Sequence, residues 1–382
     1  MKGSSSDFNK EVSMSDRRLL YLMSDFVVQE HVCNLRCLYC LNFENELKGT
    51  QPWVPIEPIN LKAGGKGFTR ALHVLELCRL KADAPILRIS GGEILAIAGG
   101  VSFIEQVSTN WEKIQILTNA TLLCGETLER LSDIHSLNLC CSVDGHTLEL
   151  NSLRTKNPRL AQSIIDGLLS AIESGIPVEI NTVLTAHNIE ALYDFACYLA
   201  ALPRKADLRL IPFPVRGKVA QDIAPSLQQL SSLYKLLDDY GQFESLLPPR
   251  AYLERLCDFY EHARRTFRCH IPLAFIQSFD DGVIASCSNC WAVSLGNLLE
   301  DEDVLRQIGE AKIHKLFLRP RPRVPFCQSC FTPFDIVNVY LDDECSLDDI
   351  SSMNLYSSAR ARDRLMRLKT AWESRPPKGV WG

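Results

Sequence analysis

Between residues 20 and 215 strand-like and helix-like stretches alternate, and this alternation restricts the fold more than any other feature of the chain. Leu20 to Val28 reads as a first strand, Phe68 to Leu80 has helical periodicity, and Ala84 to Ile89 is a short buried strand. A helical segment around 101–110, the strand Lys113 to Leu117, a helix near 126–134 and the strand Leu137 to Val143 follow. The helix 158–174 leads into the strand Val178 to Leu184, and the helix 188–201 into Asp207 to Ile211. Strands separated by helix-length crossovers form a parallel sheet with helices packed against it. Six such strands predict an α/β fold, a partial (β/α)6 TIM-like barrel. In barrels of parallel strands the working residues gather at the C-terminal strand ends. Those ends here carry Cys33–Cys40, Gly91–Glu93, Thr118-Asn119, Ser142–Asp144, Asn181-Thr182 and Pro212–Arg216.

The first of these groups is Cys33-Asn-Leu-Arg-Cys37-Leu-Tyr-Cys40. Iron–sulfur clusters favour thiolate ligands, and four usually hold a [4Fe–4S] cube. Three ligands on one loop leave one iron open to another ligand. Closely spaced cysteines also hold zinc, and free cysteines are often simply buried. A zinc site usually draws its remaining ligands from a second close pair of Cys or His. His31 precedes the run, and the next cysteine after Cys40 is Cys78. Local spacing leaves both readings open.

At 382 residues the chain is long enough for one large or two smaller domains. A formal net charge of −5 gives no reason to expect nucleic acid or an anionic membrane as partner. No apolar run approaches the roughly 20 residues of a membrane span. The start, Met-Lys-Gly-Ser-Ser-Ser-Asp, lacks an apolar signal region, so a cytoplasmic location is expected. Fifteen cysteines in a chain without that region point to metal binding rather than to disulfides. Cys78, Cys124, Cys140, Cys141 and Cys197 lie within apolar patterns and are expected in the core.

The spacing C-x3-C-x-aromatic-C resembles the signature of the radical S-adenosylmethionine (SAM) superfamily. That resemblance implies a [4Fe–4S] cluster on Cys33, Cys37 and Cys40, whose free iron chelates the amino and carboxylate groups of SAM. One electron then cleaves SAM to a 5′-deoxyadenosyl radical. Gly91-Gly92-Glu93 resembles the motif that contacts the SAM amino group, with Ile94 where the family has proline. Glycines admit close backbone approach, and a carboxylate pairs with an ammonium group. Leu117-Thr118-Asn119-Ala120 is similar to a strand-end TNG with alanine in place of glycine, and Ser142-Val143-Asp144-Gly145 to a fourth-strand SxDG. The resemblance also implies Arg154 on the SAM carboxylate, Asn181 on the ribose or carboxylate, and Tyr39 near the adenine. Asp144 and Arg216 are candidates for the substrate side, either one able to transfer a proton.

Cys269-x12-Gly282-x4-Cys287 matches the opening pattern of the SPASM and Twitch domains appended to many radical SAM enzymes. Asp280-Asp281-Gly282-Val283 is a plausible hairpin turn, Gly296-Asn297 resembles the family's GN segment, and Cys327-x2-Cys330 closes the set. Cys269, Cys287, Cys327 and Cys330 would fully ligate an auxiliary [4Fe–4S] cluster, with Cys290 and Cys345 as further candidates. Only Cys345 follows Cys330, which favours the shorter Twitch form; a structural zinc on the same residues is the alternative.

The expected organisation is an N-terminal segment (1–24), the radical SAM barrel (25–225), a helical linker (226–265), a small α+β cluster domain (266–345) and a helical tail (346–382). A fully ligated auxiliary cluster serves most simply as an electron acceptor, which implies an oxidoreductase-type outcome. The expected function is oxidative maturation of a ribosomally made peptide, with dehydrogenation of a sugar or cyclitol as the alternative. A flavodoxin- or ferredoxin-type reductant is implied. The segment before the first strand is too short for the N-terminal leader-binding module of many peptide maturases. Such a module is therefore expected to be absent or to reside on another chain.

Overall fold

A computed structural model describes residues 21–28, 32–42, 60–301, 303–305 and 325–373. Leu20, His31, most of the expected N-terminal segment and the end of the tail lie outside the described residues. Six parallel strands form the barrel: β1 (Met23–Val28), β2 (Ile86–Gly91), β3 (Lys113–Thr118), β4 (Leu137–Ser142), β5 (Val178–Leu184) and β6 (Leu208–Pro214). They are joined through α1 (Lys66–Ala82), α2 (Gly100–Ser108), α3 (Gly125–Ser132), α4 (Pro158–Ser174) and α5 (Leu192–Ala201). The fold is the expected α/β barrel of parallel strands. α4 shows why the helix bounds are legible. Asn157 caps its start by accepting from the Arg159 N–H at 3.0 Å, Pro158 occupies its first position, and Gly175 ends it in a left-handed conformation.

The sheet does not stop at six strands. Its order is β6-β5-β4-β3-β2-β1-β7-β8-β9, with β7 (Phe275–Phe279) parallel to β1 and pairing Met23 with Phe275. β8 (Val283–Cys287) and β9 (Cys290–Asn297) continue it antiparallel. The turn between β7 and β8 is the Asp280-Asp281-Gly282 segment, where Gly282 has φ +90° and donates to the Phe279 carbonyl at 2.9 Å. Asn297 Nδ2 donates to the Asp281 carbonyl at 3.0 Å and ties the GN segment to that turn.

Strand alternation divides the barrel residues into two environments. Ile114, Ile116, Leu137, Leu139, Val178, Ile180, Leu208 and Leu210 join the hydrophobic core. The concave face is polar: Gln115 Nε2 on β3 donates to Glu179 on β5 at 2.6 Å, reaching past β4. Arg88 on β2 pairs with Asp25 on β1 at 2.9 Å. The N-terminal end of the barrel is covered by the C-terminal segment: Lys113 Nζ donates to Asn354 at 2.7 Å, and Arg209 donates to the Ser352 carbonyl at 2.9 Å. Opposite that cover lie the strand ends that carry the candidate site.

Within 226–265 the helices Ser231–Asp238 and Arg250–His262 bury Leu233, Leu236, Tyr252, Leu253 and Leu256. The Tyr252 hydroxyl donates to the Pro212 carbonyl at 2.9 Å, so the second helix is bound to the end of β6. Cys78, Cys140 and Cys141 are buried as expected, but Cys124 and Cys197 are exposed. Cys124 precedes the first turn of α3, and Cys197 lies off the buried face that α5 forms with Leu192, Phe195, Ala196 and Leu199. No described helix is long and apolar enough to cross a membrane.

Candidate functional site

The loop after β1 is held by its own apolar residues and by its neighbours. Leu35 and Tyr39 are buried, the Glu93 N–H donates to the Val32 carbonyl at 2.7 Å, and the Leu38 N–H to the Leu153 carbonyl at 2.8 Å. The Cys40 N–H donates to the Cys37 carbonyl at 3.1 Å, closing a turn within the cysteine run. Cys33 Sγ accepts from the Leu35 N–H at 3.4 Å and from Asn119 Nδ2 at 3.7 Å. Burial raises the Cys33 thiol pKa and pushes Cys37 up to about 12, the latter partly offset by Arg154. Without a metal these thiols are protonated, so a bound ion or cluster must displace protons.

Gly91 ends β2 at φ +130°, where a Cβ would lie 2.1 Å from the Val28 carbonyl oxygen. Only glycine permits that approach of β2 to β1. The Gly91 carbonyl accepts from Asn42 Nδ2 at 2.6 Å, which fastens the second residue after the cysteine run to the strand end. Gly92 follows partly exposed. Glu93 turns inward and is almost wholly buried. Its carboxylate accepts from the Asn119 N–H at 2.6 Å, Thr118 Oγ1 at 3.0 Å and the Leu95 N–H at 3.2 Å. Burial pushes its pKa up to about 7 against those donors. Glu93 therefore joins the ends of β2 and β3. Asn119 Nδ2 also donates to Asn34 at 2.8 Å, linking β3 to the cysteine loop. Ala120 has φ +66°, the left-handed conformation in which the resembling motif carries glycine.

Tyr39, Asp144 and Arg154 form one buried group. The Tyr39 hydroxyl and Arg154 Nη2 donate to the two carboxylate oxygens of Asp144, the second at 2.8 Å. The guanidinium lies 5.5 Å from the Tyr39 ring centre. Burial opposes the Arg154 charge, yet Asp144, Tyr39 and Cys37 together outweigh it and hold the pKa above the ordinary arginine value. Asn151 Oδ1 accepts from the Asp144 N–H at 3.0 Å, and Asn188 Nδ2 donates to its carbonyl at 3.1 Å. Arg154 Nε and Asn181 Oδ1 are both buried and are among the polar atoms of the described residues that have no hydrogen-bond partner. Ser142, partly exposed, is the register partner of Asn181 across β4 and β5. A donor on Arg154 and an acceptor on Asn181 suit a ligand with a carboxylate and hydroxyls. Gly91 and the loop thiols complete a donor set that fits SAM and a cluster.

The second cysteine group surrounds a small cavity. Cys269, Cys287, Cys290, Cys327 and Cys330 line it, with Arg265, Asn289, Ile271 and Pro272. Cys345 does not line it. Burial raises the Cys269 thiol to about 11 against the pull of Arg265, and it raises Cys287 and Cys327 also. Arg216, just beyond β6, extends from the barrel into this group: its Nη1 is 3.7 Å from Cys330 Sγ and 3.4 Å from Asn289 Oδ1. Among the described residues no three Cys, His, Asp or Glu side chains draw together closely enough to hold one metal ion. A cube takes each thiolate on a different iron, so its ligands stand further apart than those of one tetrahedral zinc.

Sequence reasoning missed several residues that hold these groups in place. Asn42, Asn151, Asn188 and Asn289 act through amide hydrogen bonds across loops, a role without a local pattern. Arg265 is buried, donates to the Cys330 carbonyl at 2.8 Å and pairs with Asp335 at 3.0 Å. A charge beside a cysteine-rich segment was its only trace in the sequence.

No family model matches the chain. It is 25% identical over 213 residues to the GTP 3′,8-cyclase of Listeria monocytogenes serotype 4b, an alignment covering 55% of this chain. The chain spans 59% of the length of that curated relative. Its fold is similar to that of Streptococcus suis SuiB bound to precursor peptide SuiA, with a TM-score of 0.53, 18% identity and coverage of 75% of this chain and 64% of that one. It is also similar to native anSMEcpe with bound AdoMet and Kp18Cys peptide, with a TM-score of 0.51, 16% identity and coverage of 78% and 83%. At these identities the structural likeness establishes a shared fold.

Proposed function

We propose that the chain is a radical SAM enzyme and that it carries out an oxidative modification of a ribosomally made peptide, a reading supported by its partial similarity to GTP 3′,8-cyclase and by its shared fold with SuiB and anSMEcpe. Cys33, Cys37 and Cys40 would hold a [4Fe–4S] cluster, and that group would supply the one-electron chemistry for reductive cleavage of SAM and hydrogen abstraction from substrate carbon. Arg154 binds the SAM carboxylate through its unpartnered Nε, and Asp144 holds the guanidinium in place. Asp144 thus acts as a positioning residue. Asn181 accepts from a ribose hydroxyl, and the Tyr39 ring bounds the adenine side. Glu93, Thr118 and Asn119 fix the two strand ends against the cysteine loop, while the backbone around Gly91 and Gly92 meets the SAM amino group. Ser142 lines the same strand-end surface.

The observation that carries the oxidative reading is Arg216. It places a guanidinium from the barrel's sixth strand end against Cys330 of the second thiol group. We assign that group a second [4Fe–4S] cluster, held by Cys269, Cys287, Cys327 and Cys330, as the acceptor of the substrate electron. A flavodoxin- or ferredoxin-type protein is the reductant. The peptide reading is supported by the peptides bound in the SuiB and anSMEcpe structures.

The test is anaerobic reconstitution with iron and sulfide, followed by SAM, dithionite and short precursor peptides encoded beside the gene. The expected products are 5′-deoxyadenosine and a peptide lighter by two hydrogens. Absence of 5′-deoxyadenosine would sink the enzymatic reading. Turnover of a cyclitol with no change to any peptide would replace the peptide reading alone.

A further inference from the structure

The auxiliary cavity offers five thiols, one more than a cube accepts from protein. Three of them approach on elements other than the hairpin: Cys269 from the segment before β7, and Cys327 and Cys330 from the helix Pro325–Gln328 and the residues just after it. The fourth side is closed by the β8–β9 hairpin, which presents two thiols there. Cys287 and Cys290 are Cα partners across the Ser288-Asn289 turn. Opposed residues of a hairpin project to the same face, with Cβ atoms about 4.5–5.5 Å apart. Both are buried, at 8% and 5% exposure, so neither thiol is simply a surface residue beside the site. The Asn289 N–H in the same turn donates to Cys287 Sγ at 3.4 Å, placing a backbone donor at this vertex. The other sides are marked by donors of their own, Arg216 at Cys330 and Asn338 Nδ2 at 3.9 Å from Cys269 Sγ.

We infer that Cys287 and Cys290 are interchangeable ligands of one iron in the auxiliary cluster, so that this cluster stays closed to substrate. The inference rests on the auxiliary-cluster reading above. In the exchange one iron–thiolate bond forms and one breaks, a proton passes from the arriving thiol to the leaving thiolate, and no electron moves. A vertex with a spare thiolate is refilled before a substrate heteroatom takes it. The duplicated ligand therefore suits a cluster that accepts electrons without binding substrate.

The test uses the full chain with Cys33, Cys37 and Cys40 all replaced by alanine, so that iron reports the auxiliary site alone. After reconstitution this parent should carry about four irons per chain. Cys287→Ala and Cys290→Ala should each keep that content and a reduced-state electron paramagnetic resonance signal that added imidazole does not change. Cys287→Ala/Cys290→Ala should lose iron or acquire an imidazole-sensitive signal. Far-ultraviolet circular dichroism checks that each variant is folded, and Cys269→Ala serves as a ligand control expected to lose iron. Loss of the cluster in only one of the two single variants overturns interchangeability, as does a double variant that keeps an unchanged cluster. A parent without iron overturns the auxiliary-cluster reading itself, which separates that failure from the failure of the exchange.

Discussion

Removing Arg154 or Asp144 tests the arrangement around the strand ends proposed to bind SAM most directly. Both side chains are nearly inaccessible, at 5% and 2% exposure, with Nη2 2.8 Å from Oδ1. Two unit charges about 4 Å apart interact by about 4 kcal/mol at an effective dielectric constant near 20. Desolvation takes back several kcal/mol per ion, so the intact pair contributes little net stability. Removing one partner leaves the other charge buried, which costs about 3–5 kcal/mol. Arg154→Ala and Asp144→Ala should therefore each destabilise the unloaded protein by about that amount. The double variant leaves no lone charge and should cost less than the sum, with a coupling of about 2–3 kcal/mol. Urea unfolding of all four proteins under anaerobic, metal-free conditions gives the cycle. Tyr39→Phe supplies the control: it removes one hydroxyl donor to Asp144 and should cost about 1–3 kcal/mol. Additivity within about 0.5 kcal/mol would refute the reasoning, since the charges would then not depend on one another. Arg154→Ala should also weaken SAM binding to the reconstituted protein at least tenfold, the order expected for a lost charged hydrogen bond of about 1.5–3 kcal/mol.

Gly91→Ala places a methyl group 2.1 Å from the Val28 carbonyl oxygen at φ +130°. It should cost about 3 kcal/mol or more by strain and overlap together, read as a lower denaturation midpoint. Arg216→Gln removes a cation beside Cys330 and should lower the auxiliary cluster's reduction potential by roughly 60 mV for each ~1.4 kcal/mol of lost interaction. A redox titration followed by electron paramagnetic resonance measures the shift, and an unchanged potential would detach Arg216 from that cluster. Because burial pushes Cys37 up to about 12 and Cys269 to about 11, the unloaded thiols are protonated at neutral pH. Cluster loading then releases protons and should strengthen by about tenfold per pH unit for each proton released, measured as proton uptake by a weak buffer dye. The same raised values stabilise the unloaded protein below the ordinary thiol pKa of about 8.5. That contribution is lost as pH rises toward 11–12, so the unloaded protein should unfold more readily in alkali than the loaded one.

The barrel was legible because its signals are local. Val178–Leu184 and Pro158–Ser174 have the bounds that their residues imply, since alternation and a capped helical period record burial one element at a time. Strand ends rich in cysteine, glycine, asparagine and charge likewise marked one end of the sheet. Contacts between distant residues left no such record. Gln115 meets Glu179, Arg209 meets Ser352 and Arg216 meets Cys330 only after several elements have packed. The exposure of Cys197 depended on which face of a short helix turned outward, and that of Cys124 on its place just before α3, which a few apolar neighbours do not specify.

The amino-acid order determined that this chain forms a parallel α/β barrel, that its reactive residues collect at the strand ends, and that its thiols come in two groups. Periodicity and spacing suffice for these because each follows from backbone geometry over a few residues. Folding in three dimensions settled the rest. It joined β7 to β1 so that the second thiol group continues the same sheet, enclosed Asp144 between Tyr39 and Arg154, and brought Cys290 into a cavity with four other thiols. Those outcomes depend on the burial of charge and on pairings across long sequence separations, where one strand's register decides what another strand's side chains meet.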